Sequence, residues 1–226
     1  MFRSLVLLGL VAALSGCFGE GFPQLSGRGE APAGKAPQKA VLLGSFNVEG
    51  PRGFCVDTGS VRERGGEAFA VLGSCSAISG NPKDAKPKMA ALLTVSVTAV
   101  ELALDAGALD QMTAFLSTET GREMVARKGA GAATILDLSR GENHVLVLAN
   151  DGGGKGKLSD TYWRAIFAAG GRLVSATAST YRGQEGGSDA ARALLEDLMT
   201  RLRRANPAPG EANSANPLAD WFNRLP

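Results

Sequence analysis

Residue types that could carry out catalysis are scarce in this chain of 226 residues, which contains one histidine, His144. A Ser-His-Asp hydrolase needs a histidine beside a nucleophile and an orienting carboxylate, and no Gly-x-Ser-x-Gly sequence supplies that nucleophile. His144 opens an apolar segment, where we expect it to be structural or to face solvent. Two carboxylates could still meet in the folded chain and act on a glycan, but the sequence points to no particular pair. We therefore predict no catalytic residue.

A cysteine closes the apolar N-terminal segment. Arg3 gives this segment a positive start, and residues 5–14 are uncharged but too few to span a bilayer, so residues 1–16 are predicted to be a signal peptide. The four residues Leu14-Ser15-Gly16-Cys17 resemble the lipobox of bacterial lipoproteins. This resemblance implies that Cys17 is acylated, with palmitate for example, and becomes the mature N-terminus. The alternative is an ordinary secretory signal that is cleaved elsewhere.

The residue that follows the acylated cysteine bears on the destination of such a protein. It is Phe18 here and not aspartate. By likeness to Gram-negative lipoproteins, this implies the periplasmic face of the outer membrane, with the lipid as the membrane contact.

Cys55 and Cys75 are the other two of the three cysteines. An even pair in an oxidising envelope compartment favours a disulfide bond. The turn signal Arg64-Gly65-Gly66 lies between them, and the two cysteines are equally distant from Gly65. We therefore expect a hairpin centred on Gly65 that places the cysteines directly opposite each other, within disulfide reach. The alternative is a pair of buried free thiols.

Metal ions, cofactors and nucleic acid are not expected as ligands. One histidine and two paired cysteines do not supply the usual ligands of zinc, and the aspartates are too scattered for an all-carboxylate calcium site. Loss of residues 1–16 removes Arg3 alone among the charges, which leaves 23 basic and 22 acidic residues. A nearly neutral chain lacks the clustered basic face that nucleic acid requires.

Two aromatic segments are the candidate partner-binding residues. In a strand, alternation places Tyr162 and Arg164 on one face and Trp163 on the other, so the Tyr/Arg pair could bind a protein or a sugar. Alternatively, Trp163 lies in the core and the pair covers its edge. Trp221 and Phe222 follow a Pro/Ala/Asn-rich linker, and they either dock back on the domain or present a short motif to an envelope partner.

Hydrophobic periodicity predicts the elements that would position these residues. Predicted strands are residues 41–43, 46–48, 53–57, 68–75, 92–100, 133–138, 144–149, 162–167 and 172–179. A helix over 104–116, capped by Asp105 and broken by Gly121, is followed by one or two turns over 123–128. A closing helix over 188–204, with Ser188 as its cap, buries Ala190, Leu194, Leu195, Leu198 and Leu202.

The order of these elements predicts an α+β domain over residues 41–204, a mainly antiparallel sheet of about six to seven strands with two main helices packed on it. Residues 17–40 form a flexible lipidated tether, and residues 205–226 a disordered tail with the short aromatic motif. The element order is loosely similar to that of the PsbP and Mog1-like α/β/α sandwiches, and the chain resembles uncharacterised lipoproteins of Gram-negative bacteria. We expect a non-catalytic accessory or binding module; the alternative is a lipid-anchored envelope hydrolase that uses carboxylate catalysis.

Overall fold

An antiparallel sheet of seven strands lies at the centre of the described part of the chain. The computed structural model describes residues 36–101, 104–127, 131–152, 156–184 and 187–208, so Cys17, Trp221 and Phe222 lie outside the described residues. The elements along the chain are β1 (Lys39–Leu42), β2 (Phe46–Glu49), β3 (Phe54–Arg64), β4 (Glu67–Ser74), α1 (Cys75–Ser79), β5 (Ala91–Glu101), α2 (Ala106–Leu116), α3 (Glu119–Val125), β6 (Thr134–Arg140), β7 (His144–Asn150), β8 (Leu158–Ala169), β9 (Arg172–Tyr181) and α4 (Gly187–Ala205).

The strand order in the sheet is β3-β4-β5-β9-β8-β7-β6, and every neighbouring pair is antiparallel. Strands β1 and β2 form a separate two-stranded ribbon. The predicted α+β class with a mainly antiparallel sheet is therefore confirmed, and so are the hairpins β6–β7 and β8–β9. Gly170 and Gly171 both have positive φ in the tight turn between β8 and β9, as glycine allows.

Helix α4 covers one face of the sheet. Its buried residues recur at helical spacing, and they pack on the strand side chains that point to this face. In β8 these are Trp163, Ala165 and Phe167, which alternate with Tyr162, Arg164 and Ile166 on the other face. The buried positions of α4 are Ala191, Leu195, Leu198, Met199 and Leu202. The predicted burial of Leu195, Leu198 and Leu202 is thus confirmed, whereas Ala190 is exposed, Leu194 is half-buried, and Ala191 and Met199 were not predicted.

Helices α2 and α3 pack on the opposite face, where α2 contacts β6 and β7. Leu109, Met112 and Leu116 are buried against this side of the sheet, and Asp105 caps α2 as predicted, since its carboxylate accepts a hydrogen bond from the amide of Ala108. Because α2 and α3 lie toward one end of the strand order, the same face of β4 and β5 borders on open space. That space forms the pocket considered below.

The break between α2 and α3 lies at Ser117 and Thr118, and the prediction that Gly121 breaks the helix is wrong. Thr118 caps α3 by accepting a hydrogen bond from the amide of Gly121, which lies inside α3. A Cβ atom at position 121 would overlap the carbonyl oxygen of Phe115. Gly121 is therefore required for the close approach of the two helices and not for a turn.

The disulfide between Cys55 and Cys75 is confirmed, with a Cα–Cα distance of 4.8 Å. The predicted register is wrong, because Cys55 pairs with Gly73 in the ladder and Cys75 begins α1. Gly65 and Gly66 together form the turn, and three extra residues of β3 bulge out between Asp57 and Arg62.

The bulge has its own hydrogen bonds. The Ser60 hydroxyl donates to the carbonyl of Asp57 and accepts from the amide of Val71, which joins the bulged strand to β4. Such side-chain bonds to the backbone are not visible as hydrophobic periodicity.

The described fold extends slightly beyond the predicted limits of residues 41 and 204. Strand β1 begins at Lys39, and Asn206 is 7% exposed and hydrogen-bonded to β2. None of the helices in the described ranges is long and apolar enough to cross a bilayer.

Candidate functional site

A pocket of about 340 Å³ lies on the sheet face that carries α2 and α3. We call it the sheet-face pocket. Its base consists of strands β4, β5, β9 and β8, one wall is the α2–α3 pair, and its edge is the β3–β4 hairpin. The volume is at the lower end of the range for small-molecule sites.

Most of the pocket surface is apolar. The side chains come from five different elements, so the pocket exists only in the folded chain. They are Phe69 of β4, Leu116 of α2, Met124 and Val125 of α3, Ile166 of β8 and Leu173 of β9. Such a lining favours a ligand with a hydrocarbon or aromatic body.

The polar groups at the base are one guanidinium and several hydroxyls. Arg164 points to this face, and its Nη1 donates to the Ser175 hydroxyl over 3.2 Å. The Arg164 Nε is buried, and no described residue accepts its proton. Burial lowers the pKa of Arg164, since desolvation disfavours the charged form. Ser96 lies opposite Ser175 in the β5–β9 ladder, and both line the pocket.

Tyr162 is buried beside this pocket and is not exposed to solvent. It is 2% exposed, and its hydroxyl donates to the carbonyl of Val125 over 2.7 Å. Burial raises the pKa of Tyr162 to about 12. The expectation that Tyr162 and Arg164 form an exposed pair for a partner is therefore corrected: Tyr162 anchors α3 to the sheet, and Arg164 alone reaches a cavity.

A buried ion pair supports the same wall. Arg127, just after α3, bonds to both carboxylate oxygens of Asp151, whose side chain is fully buried, and to the carbonyls of Ser159 and Asp160. The Arg127 guanidinium also lies 4.5 Å from the ring centroid of Tyr162. These contacts fix the end of α3 against β8, next to the pocket residue Val125.

The edge of the pocket carries exposed charges. Arg62, Arg64 and Glu67 of the β3–β4 hairpin line it, and Arg62 donates to the carbonyls of Gly59 and Val61 in the bulge. The edge therefore has one more basic than acidic side chain, which slightly favours the approach of anions.

The lining includes one carboxylate, that of Glu67, and a second pocket near α1 also includes one, that of Asp57. Carboxylate catalysis of glycan hydrolysis uses two. Among the described residues, no three His, Cys, Asp or Glu side chains cluster as metal ligands.

His144 lies away from this site, on the α4 side of β7. Its Nδ1 is 3.3 Å from the side-chain oxygen of Asn143, and its ring packs against Gly141. Burial lowers the pKa of His144, and the nearby cation Arg203 lowers it further. This environment fits a structural histidine.

Of the predicted site residues that the structure describes, Arg164 alone lines the sheet-face pocket. Its serine and apolar neighbours were not singled out from the sequence. The sequence did show that Thr94, Ser96 and Thr98 alternate with valine on β5. A row of small hydroxyl side chains on one face of an inner strand is a signal that could have indicated the polar base of the pocket. No protein-family model, curated protein or solved structure matches this chain.

Proposed function

We propose that this chain is a non-catalytic binding module of the bacterial cell envelope, anchored through a lipid on Cys17 to the periplasmic face of the outer membrane. In this proposal the folded domain binds a small molecule in the sheet-face pocket and makes it available to an envelope partner. The aromatic motif Trp221-Phe222 is the proposed contact with that partner.

The observation that carries the binding function is the composition of the sheet-face pocket. Apolar side chains from five elements surround a base of one guanidinium and small hydroxyls. Guanidinium and hydroxyl groups hold a ligand by hydrogen bonds and charge, and an apolar wall holds it by exclusion of water. Hydrolysis would require a carboxylate pair or a histidine beside a nucleophile to activate water or attack the substrate. The described residues that line this pocket include neither arrangement.

The lipobox-like residues Leu14-Ser15-Gly16-Cys17 support the proposed location. The Cys55–Cys75 disulfide of the structure agrees with an oxidising compartment.

One experiment tests the anchor. The wild-type chain and the variant Cys17→Ala are expressed with their signal in a Gram-negative host, and envelope fractions are analysed by immunoblot and by mass spectrometry of the N-terminal peptide. We expect the wild-type peptide to begin at an acylated Cys17 in the outer-membrane fraction, and Cys17→Ala to leave that fraction. A wild-type N-terminus at another residue, without lipid, would contradict the anchor.

A second experiment tests the binding function. Native mass spectrometry of the purified wild-type protein is compared with that of Ser96→Trp, which places an indole inside the pocket. We expect a bound small molecule on the wild type that Ser96→Trp lacks. The double variant Trp221→Ala/Phe222→Ala serves as the control. In native mass spectrometry it should keep the small molecule, whereas in cells it should lose the envelope partner that cross-links to the wild type. A ligand that stays on Ser96→Trp would rule out the pocket as its site.

A further inference from the structure

The positive charge of Arg164 has no counter-ion among the described residues. No carboxylate oxygen of those residues lies within ion-pair distance of its guanidinium, and its buried Nε lacks an acceptor. Charged side chains inside proteins are normally paired, because an unpaired charge loses its hydration without compensation. An anion in the pocket would supply the missing partner.

The neighbouring ionisable groups do not supply it. Asp151 is engaged by the Arg127 guanidinium and by the Arg127 amide, so these two charges compensate each other. Tyr162, whose ring centroid is 5.9 Å from the Arg164 guanidinium, keeps its proton at neutral pH because burial raises its pKa to about 12. One net positive charge therefore remains at the base of the pocket.

The hydroxyl groups beside Arg164 can complete an anion site. Ser175 accepts a hydrogen bond from Arg164 Nη1, which leaves the Ser175 proton for another acceptor. Ser96, its ladder neighbour, offers a second hydroxyl from the same pocket surface. A guanidinium with two hydroxyls suits the two oxygens of a carboxylate.

The apolar side chains determine the rest of the ligand. Phe69, Leu116 and Ile166 border the cavity around this polar base, and its 340 Å³ fit a short hydrocarbon body. A phosphate monoester carries about −1.5 to −2 at neutral pH, more than one guanidinium neutralises, whereas a carboxylate carries a single charge.

We infer that the sheet-face pocket binds a small aliphatic carboxylate, with its carboxylate against Arg164 and Ser175 and its hydrocarbon body on Phe69, Leu116 and Ile166. The inference rests on the proposed binding function and specifies the chemistry of the ligand.

The test uses probes that share one chain and differ in the head group. The lipidated full-length protein in phospholipid nanodiscs is titrated calorimetrically with octanoate, octanol, octylammonium and octyl phosphate, and empty nanodiscs give the partition blank. We expect octanoate to bind about tenfold or more tightly than octanol, the factor of a hydrogen-bonded charge contact of ~1.4 kcal/mol, and octylammonium not to bind.

Three variants locate the contact. Arg164→Met should remove the preference for the carboxylate, so that octanoate and octanol bind this variant with equal affinity. Arg201→Gln, on α4 and hence on the opposite side of the sheet, is the matched control and should bind octanoate as the wild type does. Ser96→Trp should abolish the binding of both probes.

Thermal unfolding without ligand separates a binding role of Arg164 from a structural one. Because Arg164→Met removes an unpaired, desolvated charge, we expect its melting temperature to equal or exceed that of the wild type. A lower melting temperature together with unchanged octanoate affinity would overturn the inference.

The remaining outcomes separate the ligand from the function. Equal binding of octanoate and octanol would overturn the inference that the ligand is a carboxylate, but the proposed binding function would stand. Tighter binding of octyl phosphate or octylammonium than of octanoate would have the same consequence. Absence of binding by all four probes, or binding that Ser96→Trp does not alter, overturns both the carboxylate and the proposed role of this pocket.

Discussion

The side-chain amide of Asn206 pairs with the backbone of Asn47 in the manner of a strand neighbour. Its Oδ1 accepts from the Asn47 amide and its Nδ2 donates to the Asn47 carbonyl, both over 2.7 Å. The Asn206 carbonyl also accepts from the amide of Gly170, in the β8–β9 turn. One residue after α4 thus joins the helix end, the β1–β2 ribbon and the sheet.

Replacement of Asn206 should show the strength of this junction. Asn206→Ala leaves the amide and carbonyl of Asn47 without these partners, so we expect the free energy of unfolding to fall by about 1–3 kcal/mol. Asn47→Ala is the matched control, because it keeps the backbone pairing with Asn206. It loses the long, exposed hydrogen bonds that the Asn47 side chain donates to the carbonyls of Ser45 and Ala205, over 3.4 and 3.5 Å, so it should change stability by less than about 0.5 kcal/mol. Urea denaturation followed by circular dichroism measures both. Equal effects of the two variants would refute the backbone pairing as the source.

Removal of the disulfide tests its contribution to stability. Cys55 and Cys75 are 20 residues apart, and closure of such a loop restricts the unfolded chain. We expect Cys55→Ala/Cys75→Ala to lose roughly 3 kcal/mol on the chain-entropy model. Wild-type protein unfolded in the presence of a thiol reductant should show a similar loss, whereas the double variant should be insensitive to reductant. A double variant as stable as the oxidised wild type would contradict this expectation.

The Arg127–Asp151 pair should be costly to break from one side. Arg127→Met leaves the fully buried Asp151 carboxylate with fewer partners, and loss of one member of a buried pair typically costs about 3–5 kcal/mol. Arg182→Met is the comparison, because its ion pair with Asp160 is partly exposed to solvent and should contribute less than about 1 kcal/mol. Chemical denaturation compares the two. A smaller loss for Arg127→Met than for Arg182→Met would show that burial of the pair does not matter.

His144 should make stability fall as the solution becomes acidic. Its pKa in the folded chain lies below the ordinary value of 6.5, chiefly because of burial and then because of Arg203 and Arg192, although Glu196 opposes them. A lowered pKa means that the unfolded chain binds the proton more readily, so this stabilisation is complete above pH 6.5 and is lost as the pH falls through the folded-state pKa.

Proton resonance titration of the imidazole measures this pKa directly, since the chain has one histidine. We expect a midpoint below 6.5 in the wild type, an upward shift in Arg203→Gln and a downward shift in Glu196→Gln. Unfolding curves at several pH values should show less loss of stability below pH 6.5 in His144→Asn than in the wild type. A wild-type midpoint above 6.5 would reverse the sign of the argument.

The sequence by itself determined the fold class and most of the elements, although it did not predict α1 or residues 58–64 of β3. The strand β5 alternates valine with threonine or serine, α2 repeats apolar residues at helical spacing after the Asp105 cap, and Gly170-Gly171 forms a tight turn. These signals are local, because a strand or helix is specified by the residues within one or two of its own repeats. The even pair of cysteines predicted the disulfide correctly, although the register that supported this prediction was wrong.

Only the tertiary structure decided the register, the pocket and the partners of Arg164. The bulge of β3 depends on the bond between Ser60 and Val71 of another strand, and the wall of the pocket comes from Leu116 and Val125, far from Arg164 in sequence. Periodicity places Arg164 on a face of β8 but does not say what covers that face. Coverage depends on where α2 and α3 pack, which is set by contacts between residues distant along the chain, and the burial of Arg164 follows from that packing.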